Sequence, residues 1–330
     1  MKKAVFFYNS NLEGRVYGPK EIAELCELVN LADVRLDLNN WKEHLDVLKN
    51  AEILMSSWGA PVFDEEFLAA APKLEAVFYG AGSIKALMTN AAWDRGLRIT
   101  SAYAANAVPV AEYTLSMILF CLKHGWRMIR EARDPAVWLQ DKVFPGTYQS
   151  KIGIISLGMI GKKTCELLKP FDLEVFASSS YGSPKLEREL GVRFVSMEEI
   201  FKTCDVVSLH TPLLPHTRGL ITGDHLRFMK QGASFINTAR GAVVREQELI
   251  DVMKERPDLT AVLDVTDPEP PAPDSPLFEL PNVIVTPHLA GSFHYECRRL
   301  GHYMVDELRR FLNGEDLLWE ITRDNAGALA

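Results

Sequence analysis

Short apolar runs rich in valine, isoleucine and phenylalanine alternate with helical stretches along most of this 330-residue chain. Such alternation is typical of parallel sheets whose strands are joined by crossover helices. The runs form two series. The first contains AVFFYN, VRLDL, ILMSSW and EAVFYG, and ends near residue 103; the second, within about residues 147–287, contains KIGII, LEVFA, VRFV, DVVSLH, SFINT, TAVLDV and NVIVT. The pattern predicts an α/β protein with a small sheet domain followed by a doubly wound parallel-sheet domain.

Two helical stretches indicate how these domains are connected. Residues 109–134 contain almost no helix breaker, so we expect a long helix between the domains. Residues 300–312 carry an apolar stripe that must be buried against a sheet. The second domain already has enough helices to cover both faces of its own sheet. We therefore expect the last helix to return to the first domain. The predicted domains are residues 1–103 with 290–330, which form a discontinuous unit, and residues 104–289.

Composition excludes several classes of partner. The formal net charge of -8 gives no general attraction to nucleic acid or to anionic membranes. The most apolar helical window, residues 111–122, is shorter than the ~20 residues that span a bilayer, and the N-terminus has too short an apolar run for a signal peptide. Five cysteines form no C-x-x-C pair, which argues against a zinc site or a disulfide framework and favours buried thiols. We expect a cytoplasmic protein without a bound metal.

The stretch KIGIISLGMIGKKTCELL, residues 151–168, indicates a strand, a glycine loop and a helix. A dinucleotide fingerprint reads G-x-G-x-x-G, and this chain has Ser156, Gly158 and Gly161 at the three glycine positions. Gly158 keeps the backbone open to a pyrophosphate at the helix N-terminus, and Gly161 permits close packing of helix on strand. Serine is compatible with the first turn if residue 156 holds a negative φ. The loop therefore predicts a dinucleotide site.

The next strand bears on the choice of dinucleotide. The acid that would bind the adenosine ribose of NAD is replaced by Ser179, which is flanked by Ser178 and Ser180. Without that carboxylate a 2′-phosphate is not repelled, the hydroxyls can bond it, and Lys185 could supply charge if the loop folds back. This slightly favours NADP and leaves NAD open. The alternative is that the serines simply end a strand, because serine is common in turns.

Three further segments place charged side chains just after strands, where open parallel sheets bind ligands. They are FINTARGAVV with Arg240, VLDVTDPEPP with Glu269, and VIVTPHLAG with His288. Each residue alone has an ordinary explanation as a surface charge, a solvated loop carboxylate or a turn residue. Their common position beside a nucleotide loop makes them candidates for catalysis.

These segments resemble the D-isomer-specific 2-hydroxyacid dehydrogenases, which include phosphoglycerate dehydrogenase and glyoxylate/hydroxypyruvate reductase. The resemblance covers nearly the whole chain and includes VFYGAGSIKAL, NAVPVAEYTL, IISLGMIG, INTARG, LDVTDPEP and NVIVTPHLAG. It implies a Rossmann cofactor domain and a smaller flavodoxin-like substrate domain, with the active site in the cleft between them. It also implies a homodimer built on the cofactor domains. The substrate it implies is a small 2-keto or D-2-hydroxy acid.

The chemistry of this reaction assigns a role to each catalytic candidate. His288 would exchange the proton of the substrate oxygen, Glu269 would stabilise its imidazolium form, and Arg240 would grip the substrate carboxylate and polarise the carbonyl. Small residues in the loop Gly80, Ala81 and Gly82 could offer N–H groups to the carboxylate, and the resemblance places Asn106 at the hinge and Asp264 on the nicotinamide carboxamide. The candidate cofactor-binding residues are Ser156, Gly158, Met159, Ile160, Gly161, Ser178, Ser179, Ser180, His210, Thr211, Pro212, Thr238, Ala239 and Asp264.

Two other functions are weighed against this one. In formate dehydrogenases of the same architecture a neutral glutamine stands beside the histidine, and Glu269 argues against that activity. A dinucleotide-sensing scaffold of the corepressor type would retain the same catalytic residues. The chain has no long disordered segment for assembling partners, so we favour the enzyme. The choice among glyoxylate, hydroxypyruvate, pyruvate and larger 2-keto acids stays open.

Overall fold

The computed structural model describes residues 1–140 and 143–327. The chain divides into two compact units, a discontinuous unit of residues 1–106 and 292–330 and a continuous unit of residues 107–291. The first boundary lies at 106 where we predicted 103, and the second unit ends at 291 where we predicted 289.

The discontinuous unit is built on a six-stranded sheet in the order β13-β5-β4-β3-β1-β2. All neighbours are parallel except β13, which runs antiparallel to β5. Its first five strands have the flavodoxin-like order 2-1-3-4-5. Along the chain the elements are β1 (Lys3–Phe7), α1 (Pro19–Leu28), β2 (Asn30–Leu36), α2 (Leu45–Leu48), β3 (Ile53–Ser56), α3 (Glu65–Ala70), β4 (Ala76–Tyr79), α4 (Asn90–Asp94) and β5 (Arg98–Ser101), and, after the continuous unit, α12 (Cys297–Asn313) and β13 (Glu320–Ile321).

The helix α5 (Tyr103–Leu122) carries the chain into the continuous unit and is followed by α6 (Gly125–Glu131). The predicted single helix over 109–134 is therefore wrong in two respects. The helix begins at Tyr103, and it is interrupted because His124 takes a left-handed φ of 48° between α5 and α6. Pro109 lies inside α5. With 20 residues and a mean hydropathy of 1.4 in its most apolar window, α5 is long and apolar enough to cross a membrane, contrary to our expectation; half of that window is buried in the protein, as in an ordinary core helix.

The continuous unit contains a seven-stranded parallel sheet in the order β12-β11-β10-β9-β6-β7-β8. Read from β6, this is the doubly wound order 3-2-1-4-5-6 with one further strand, which confirms the predicted Rossmann fold. The elements are β6 (Lys151–Ile155), α7 (Met159–Leu168), β7 (Glu174–Ser178), α8 (Pro184–Leu190), β8 (Arg193–Phe194), α9 (Met197–Thr203), β9 (Val206–Leu209), α10 (Gly223–Arg227), β10 (Ser234–Asn237), α11 (Glu246–Glu255), β11 (Thr260–Leu263) and β12 (Val283–Val285).

Each sheet is covered on both faces by apolar clusters. The stripe on α12 is buried at Leu300, Met304, Val305 and Leu308, and this helix packs on β4 and β5 of the first sheet, as predicted. Four cysteines are buried, and burial raises the pKa of the Cys121, Cys165 and Cys204 thiols to about 12. Cys26 is exposed, so the prediction of buried thiols fails at that position.

Candidate active site

The three predicted catalytic side chains come together at the carboxyl edge of the continuous unit's sheet. The Nδ1 atom of His288 is hydrogen-bonded to a carboxylate oxygen of Glu269. Burial lowers the pKa of the Arg240 guanidinium, and the negative charge of Glu269 opposes that shift, which places the carboxylate near both partners. With Nδ1 held by Glu269, the other ring nitrogen of His288 is the one available to a substrate oxygen.

The backbone around His288 is held by a buried carboxylate. Asp264 follows β11 and is 2% exposed. Its Oδ1 accepts the Thr286 hydroxyl at 2.6 Å and the Leu289 N–H at 2.9 Å, and its Oδ2 accepts the Ala290 N–H at 3.0 Å. His288 itself has a left-handed φ of 50°, a conformation that persists only where its surroundings impose it. Asp264 thus fixes the loop that carries His288, and its expected contact with the nicotinamide stays a prediction.

Arg240 is positioned by a second set of contacts after β10. The side chain of Asn237 accepts the Ala239 N–H at 3.0 Å and donates to the Arg240 carbonyl at 3.2 Å. At the next residue, a Cβ on Gly241 would lie 2.0 Å from the backbone of Thr266, so only glycine fits there. The backbone next to Arg240 therefore packs directly against the segment that follows β11.

The glycine loop has the shape that a dinucleotide requires. A Cβ on Gly158 would meet nothing within 4 Å, so the space before the N-terminus of α7 is open. A Cβ on Gly161 would lie 2.2 Å from the Ser156 carbonyl oxygen, so this glycine permits the tight packing of α7 on β6. Met159 is 40% exposed at the first position of α7 and Ile160 is partly buried behind it. These observations fit a pyrophosphate at the helix N-terminus.

We expected serine at position 156 to hold a negative φ, and it does not. Its φ is 75°, in the left-handed region that favours glycine, and its N–H donates to the Ser178 carbonyl at 2.8 Å. The turn therefore keeps the backbone of a glycine fingerprint although the side chain has changed. Serine is held there under local strain.

The remaining cofactor candidates of the continuous unit lie at the carboxyl ends of neighbouring strands. His210 and Thr211 follow β9 and are buried, Pro212 is partly buried, and Thr238 and Ala239 are buried after β10. The Nδ1 atom of His210 is buried and has no hydrogen-bond partner among the described residues, whereas its Nε2 lies 3.0 Å from the Ser208 hydroxyl. Burial lowers the pKa of His210 to about 4, so the ring is neutral near neutral pH. An unpartnered polar atom beside the glycine loop also fits a ligand at this edge.

A family model agrees with this geometry. The model for the NAD-binding domain of D-isomer specific 2-hydroxyacid dehydrogenases matches residues 115–290, which is more than half of the chain. The chain belongs to the D-isomer specific 2-hydroxyacid dehydrogenase family. This confirms the resemblance read from the motifs, and the cofactor of this family's matched domain is a nicotinamide dinucleotide.

Individual relatives extend the similarity over most of the chain. A glyoxylate reductase of Korarchaeum cryptofilum is 29% identical over 316 residues, covering 92% of this chain and 94% of the relative. A D-3-phosphoglycerate dehydrogenase of Mycobacterium leprae is 34% identical over 261 residues, covering 78% of this chain; the alignment spans only 48% of that longer relative. Among solved structures, the TT0316 protein of Thermus thermophilus superposes with a TM-score of 0.73 at 28% identity, covering 97% of this chain and 100% of the other.

The predicted substrate loop of this dehydrogenase lies after β4 in the discontinuous unit. Gly80 donates its N–H to the Ser56 carbonyl at 2.7 Å, and Ala81 donates to the Tyr79 carbonyl at 2.8 Å. Both N–H groups are thus engaged by the protein, which corrects the expectation that they bind a carboxylate. The N–H of Gly82 has no hydrogen-bond partner among the described residues and stays a candidate.

Asn106 lies at the first boundary between the two units. Its side-chain oxygen accepts the N–H of Ser292, the first residue after the second boundary, at 2.9 Å. A hydrogen bond therefore ties the two points at which the chain leaves and re-enters the discontinuous unit, and the hinge role of Asn106 stays a prediction.

Sequence reasoning missed Tyr113, Thr286 and Gly241, which belong to the contacts around the site. Tyr113 lies 3.0 Å from the Thr286 hydroxyl and so joins the Asp264 contacts, and Gly241 permits the close turn after Arg240. Gly241 directly follows a candidate arginine, and that adjacency could have identified it. Tyr113 lies 173 residues before Thr286, and nothing local in the sequence connects them.

Proposed function

We propose that this protein reduces a small 2-keto acid to the D-2-hydroxy acid, and catalyses the reverse oxidation, with a nicotinamide dinucleotide as hydride carrier. The observation that carries the proposal is the pairing of His288 with Glu269 beside Arg240, at the edge of a sheet whose glycine loop fits a dinucleotide. The names of the relatives, glyoxylate reductase and D-3-phosphoglycerate dehydrogenase, support the same reaction class.

Each side chain has one task in the reductive direction. A nicotinamide cofactor, when bound, would supply hydride to C2 of the keto acid. Arg240 polarises the carbonyl and holds the neighbouring carboxylate, since its planar fork matches two oxygens at once. His288 delivers a proton to the developing alkoxide oxygen, and Glu269 stabilises the imidazolium before the transfer and keeps the ring in place. In the oxidative direction the same nitrogen takes the proton back.

Replacement of His288 tests this assignment. We expect His288→Gln to lower kcat for 2-keto acid reduction by about 100-fold or more, because general acid catalysis contributes roughly that factor, while NAD(P)H binding persists. The matched control is His216→Gln, at an exposed histidine of the same unit, which should leave kcat unchanged. Normal turnover by the His288 variant would remove this residue from the mechanism.

We also propose that NADPH is preferred over NADH. Ser178 ends β7, Ser179 and Ser180 begin the loop that follows, and the first carboxylate after them is that of Glu187 in α8. The Glu187 carboxylate is engaged, because it accepts the Phe194 N–H at 2.8 Å. The Ser179 hydroxyl accepts the Tyr181 N–H at 3.2 Å, so its own proton is free to be donated to a phosphate oxygen. Fluorescence titrations with NADPH and NADH measure the preference; tighter NADH binding would contradict it.

A homodimer built on the continuous unit completes the proposal. Exposed apolar side chains concentrate in α6 and in the segment between α6 and β6, and a second copy covering them would remove this surface from water. They are Ile129, Trp138, Val143, Phe144 and Tyr148, of which Val143 is 92% exposed. Sedimentation equilibrium of the wild type and of Trp138→Glu tests this; a wild-type monomer at micromolar concentration would overturn it.

A further inference from the structure

A cavity of about 460 Å³ lies between the C-terminal half of α12 and the segment that leads into β13. Every described residue that lines it falls between positions 303 and 319, so this wall belongs to the discontinuous unit alone. A cavity of this size holds a small organic molecule. Its described lining includes none of the residues assigned to substrate, cofactor or catalysis, so it is a separate feature of the molecule.

The lining of this cavity contains a buried carboxylate, Glu307, which is 1% exposed. Its Oε1 accepts the Leu318 N–H at 3.2 Å and its Oε2 accepts the Trp319 N–H at 3.0 Å. Each carboxylate oxygen can accept a second hydrogen bond, and the Arg310 Nε atom, at 3.8 Å, is beyond hydrogen-bond distance. Burial raises the pKa of the Glu307 carboxyl, so a cation that stabilises its ionised form would be bound favourably.

The charged groups around the cavity leave a negative charge uncompensated. The lining contains three carboxylates and two guanidinium groups, those of Asp306, Glu307, Glu315, Arg309 and Arg310. Arg309 is already paired with Asp306 at 2.8 Å, and Arg310 lies 3.4 Å from Glu315. The carbonyl end of the α12 dipole, at the same place, also favours a cation.

The other side chains supply an apolar wall. The rings of Tyr303 and Trp319 are nearly parallel, with an interplanar angle of 20° and centroids 6.0 Å apart, and Leu318 is 57% exposed beside them. The Tyr303 hydroxyl and the Trp319 indole N–H have no hydrogen-bond partner within residues 1–140 and 143–327. Aromatic rings attract cations as well as covering apolar groups, so this wall suits an alkyl chain that carries a positive charge.

We propose that this cavity binds a small aliphatic amine in its ammonium form. The ammonium group has three donors for the free acceptor positions of the carboxylates, and its alkyl chain covers Tyr303, Leu318 and Trp319. An anionic ligand is disfavoured by the surplus negative charge, and a neutral ligand leaves that charge uncompensated. This binding site goes beyond the proposed oxidoreductase activity and does not depend on it.

Ligands matched in length test the requirement for positive charge. The probes are 1,5-diaminopentane, the neutral pentane-1,5-diol and the dianionic glutarate, each titrated calorimetrically into the wild-type protein. We expect the diamine to bind with a Kd below about 1 mM at low salt, and the diol and glutarate to bind at least about tenfold more weakly. Raising the salt concentration to about 0.5 M should weaken the diamine at least about threefold, because exposed charges are then screened.

The indole N–H of Trp319 reports whether the diamine occupies this cavity. In a tryptophan-labelled sample its nuclear magnetic resonance signal is identified as the one missing from Trp319→Phe. We expect this signal to shift on addition of the diamine and to stay in place on addition of the diol. A diamine that binds without moving the Trp319 signal lies elsewhere, and that result overturns the assignment of the site.

Three variants measure the contributions of charge and ring. Glu315→Gln removes one carboxylate and Trp319→Leu removes the aromatic ring, and each should raise the Kd of the diamine about fivefold. The matched control is Glu43→Gln, at an exposed carboxylate of the same unit outside the cavity lining, which should leave the Kd unchanged. Circular dichroism establishes that each variant is folded. If Trp319→Leu does not fold, Glu315→Gln and the wild-type probe series carry the test.

Three calorimetric results would overturn the proposal. They are the absence of diamine binding to the wild type, equally tight binding of the diol, and an unchanged Kd in Glu315→Gln. None of them bears on the reduction of 2-keto acids, so a failure here leaves the proposed function in place.

Discussion

Thr286 donates its hydroxyl proton to Asp264 across 2.6 Å, which determines the direction of the hydrogen bond that follows. Since the Thr286 proton is committed, the Tyr113 hydroxyl must donate to the Thr286 oxygen at 3.0 Å. Burial raises the pKa of Tyr113, so the phenol keeps the proton that it donates. The chain Tyr113, Thr286, Asp264 ends at the loop that holds His288 in its left-handed conformation.

Removal of the Thr286 hydroxyl should loosen the loop that carries His288. We expect Thr286→Val to lower kcat about fivefold or more, since one net hydrogen bond contributes ~1 kcal/mol and the loop is held through it. Cofactor affinity should change less than kcat, because the glycine loop lies outside this network and only the predicted nicotinamide contact of Asp264 belongs to it. Steady-state kinetics and NAD(P)H titration measure both quantities.

The control for this change is Thr286→Ser, which retains the hydroxyl and should keep most of the activity. If the serine variant lost as much kcat as the valine variant, packing of the threonine methyl rather than the hydrogen bond would be responsible.

The strained turn at Ser156 gives a prediction about stability. At a φ of 75°, Ser156→Gly should relieve a backbone cost of ~1–2 kcal/mol, offset in part by the greater freedom of glycine in the unfolded chain, for a net gain of about 0.5–1 kcal/mol. Urea unfolding monitored by circular dichroism measures the change. Ser156→Ala keeps the strain and should not stabilise the protein; equal stabilisation by alanine would show that the backbone conformation is not the cause.

Most of the strands could be predicted because each is a short buried run of apolar residues. All seven predicted strands of the second series are present, and the acidic, basic and imidazole groups at their ends converge because parallel strands share one carboxyl edge. The strand Arg98–Ser101 was missed: its charged and hydroxyl residues hide the apolar pattern, and only its neighbours in the sheet identify it.

Other features depend on contacts that a linear sequence does not show. The break between α5 and α6 occurs at a histidine, with no proline or glycine at the turning residue itself. The N–H groups of Gly80 and Ala81 are consumed by carbonyls of the same sheet edge, which small residues alone do not reveal. The positive φ of Ser156 belongs to a turn whose carbonyl oxygen lies against Gly161, and the residue type serine does not reveal it.

Cofactor choice should respond to a single carboxylate after β7. Ser179→Asp places a negative charge where the 2′-phosphate is proposed to lie, and we expect the ratio of NADPH to NADH affinity to fall at least about tenfold through like-charge repulsion. Ser183→Asp, at the N-cap of α8 farther along the loop, is the control and should change the ratio less. An unchanged ratio in Ser179→Asp would show that this residue does not face the ribose.

Stability in acid should depend on His210. The folded protein holds this ring neutral, with its pKa lowered by burial to about 4, while the unfolded chain protonates it near its ordinary value of 6.5. Between these values the unfolded state binds the extra proton, so the free energy of unfolding falls as the pH drops from about 6.5 to about 4, by up to about 3 kcal/mol from this residue. His210→Gln removes the titration and keeps an acceptor for the Ser208 hydroxyl. Urea unfolding of both proteins between pH 7 and pH 4 should show a shallower loss in the variant; parallel curves would mean that His210 is already protonated in the folded state or stays neutral in the unfolded one.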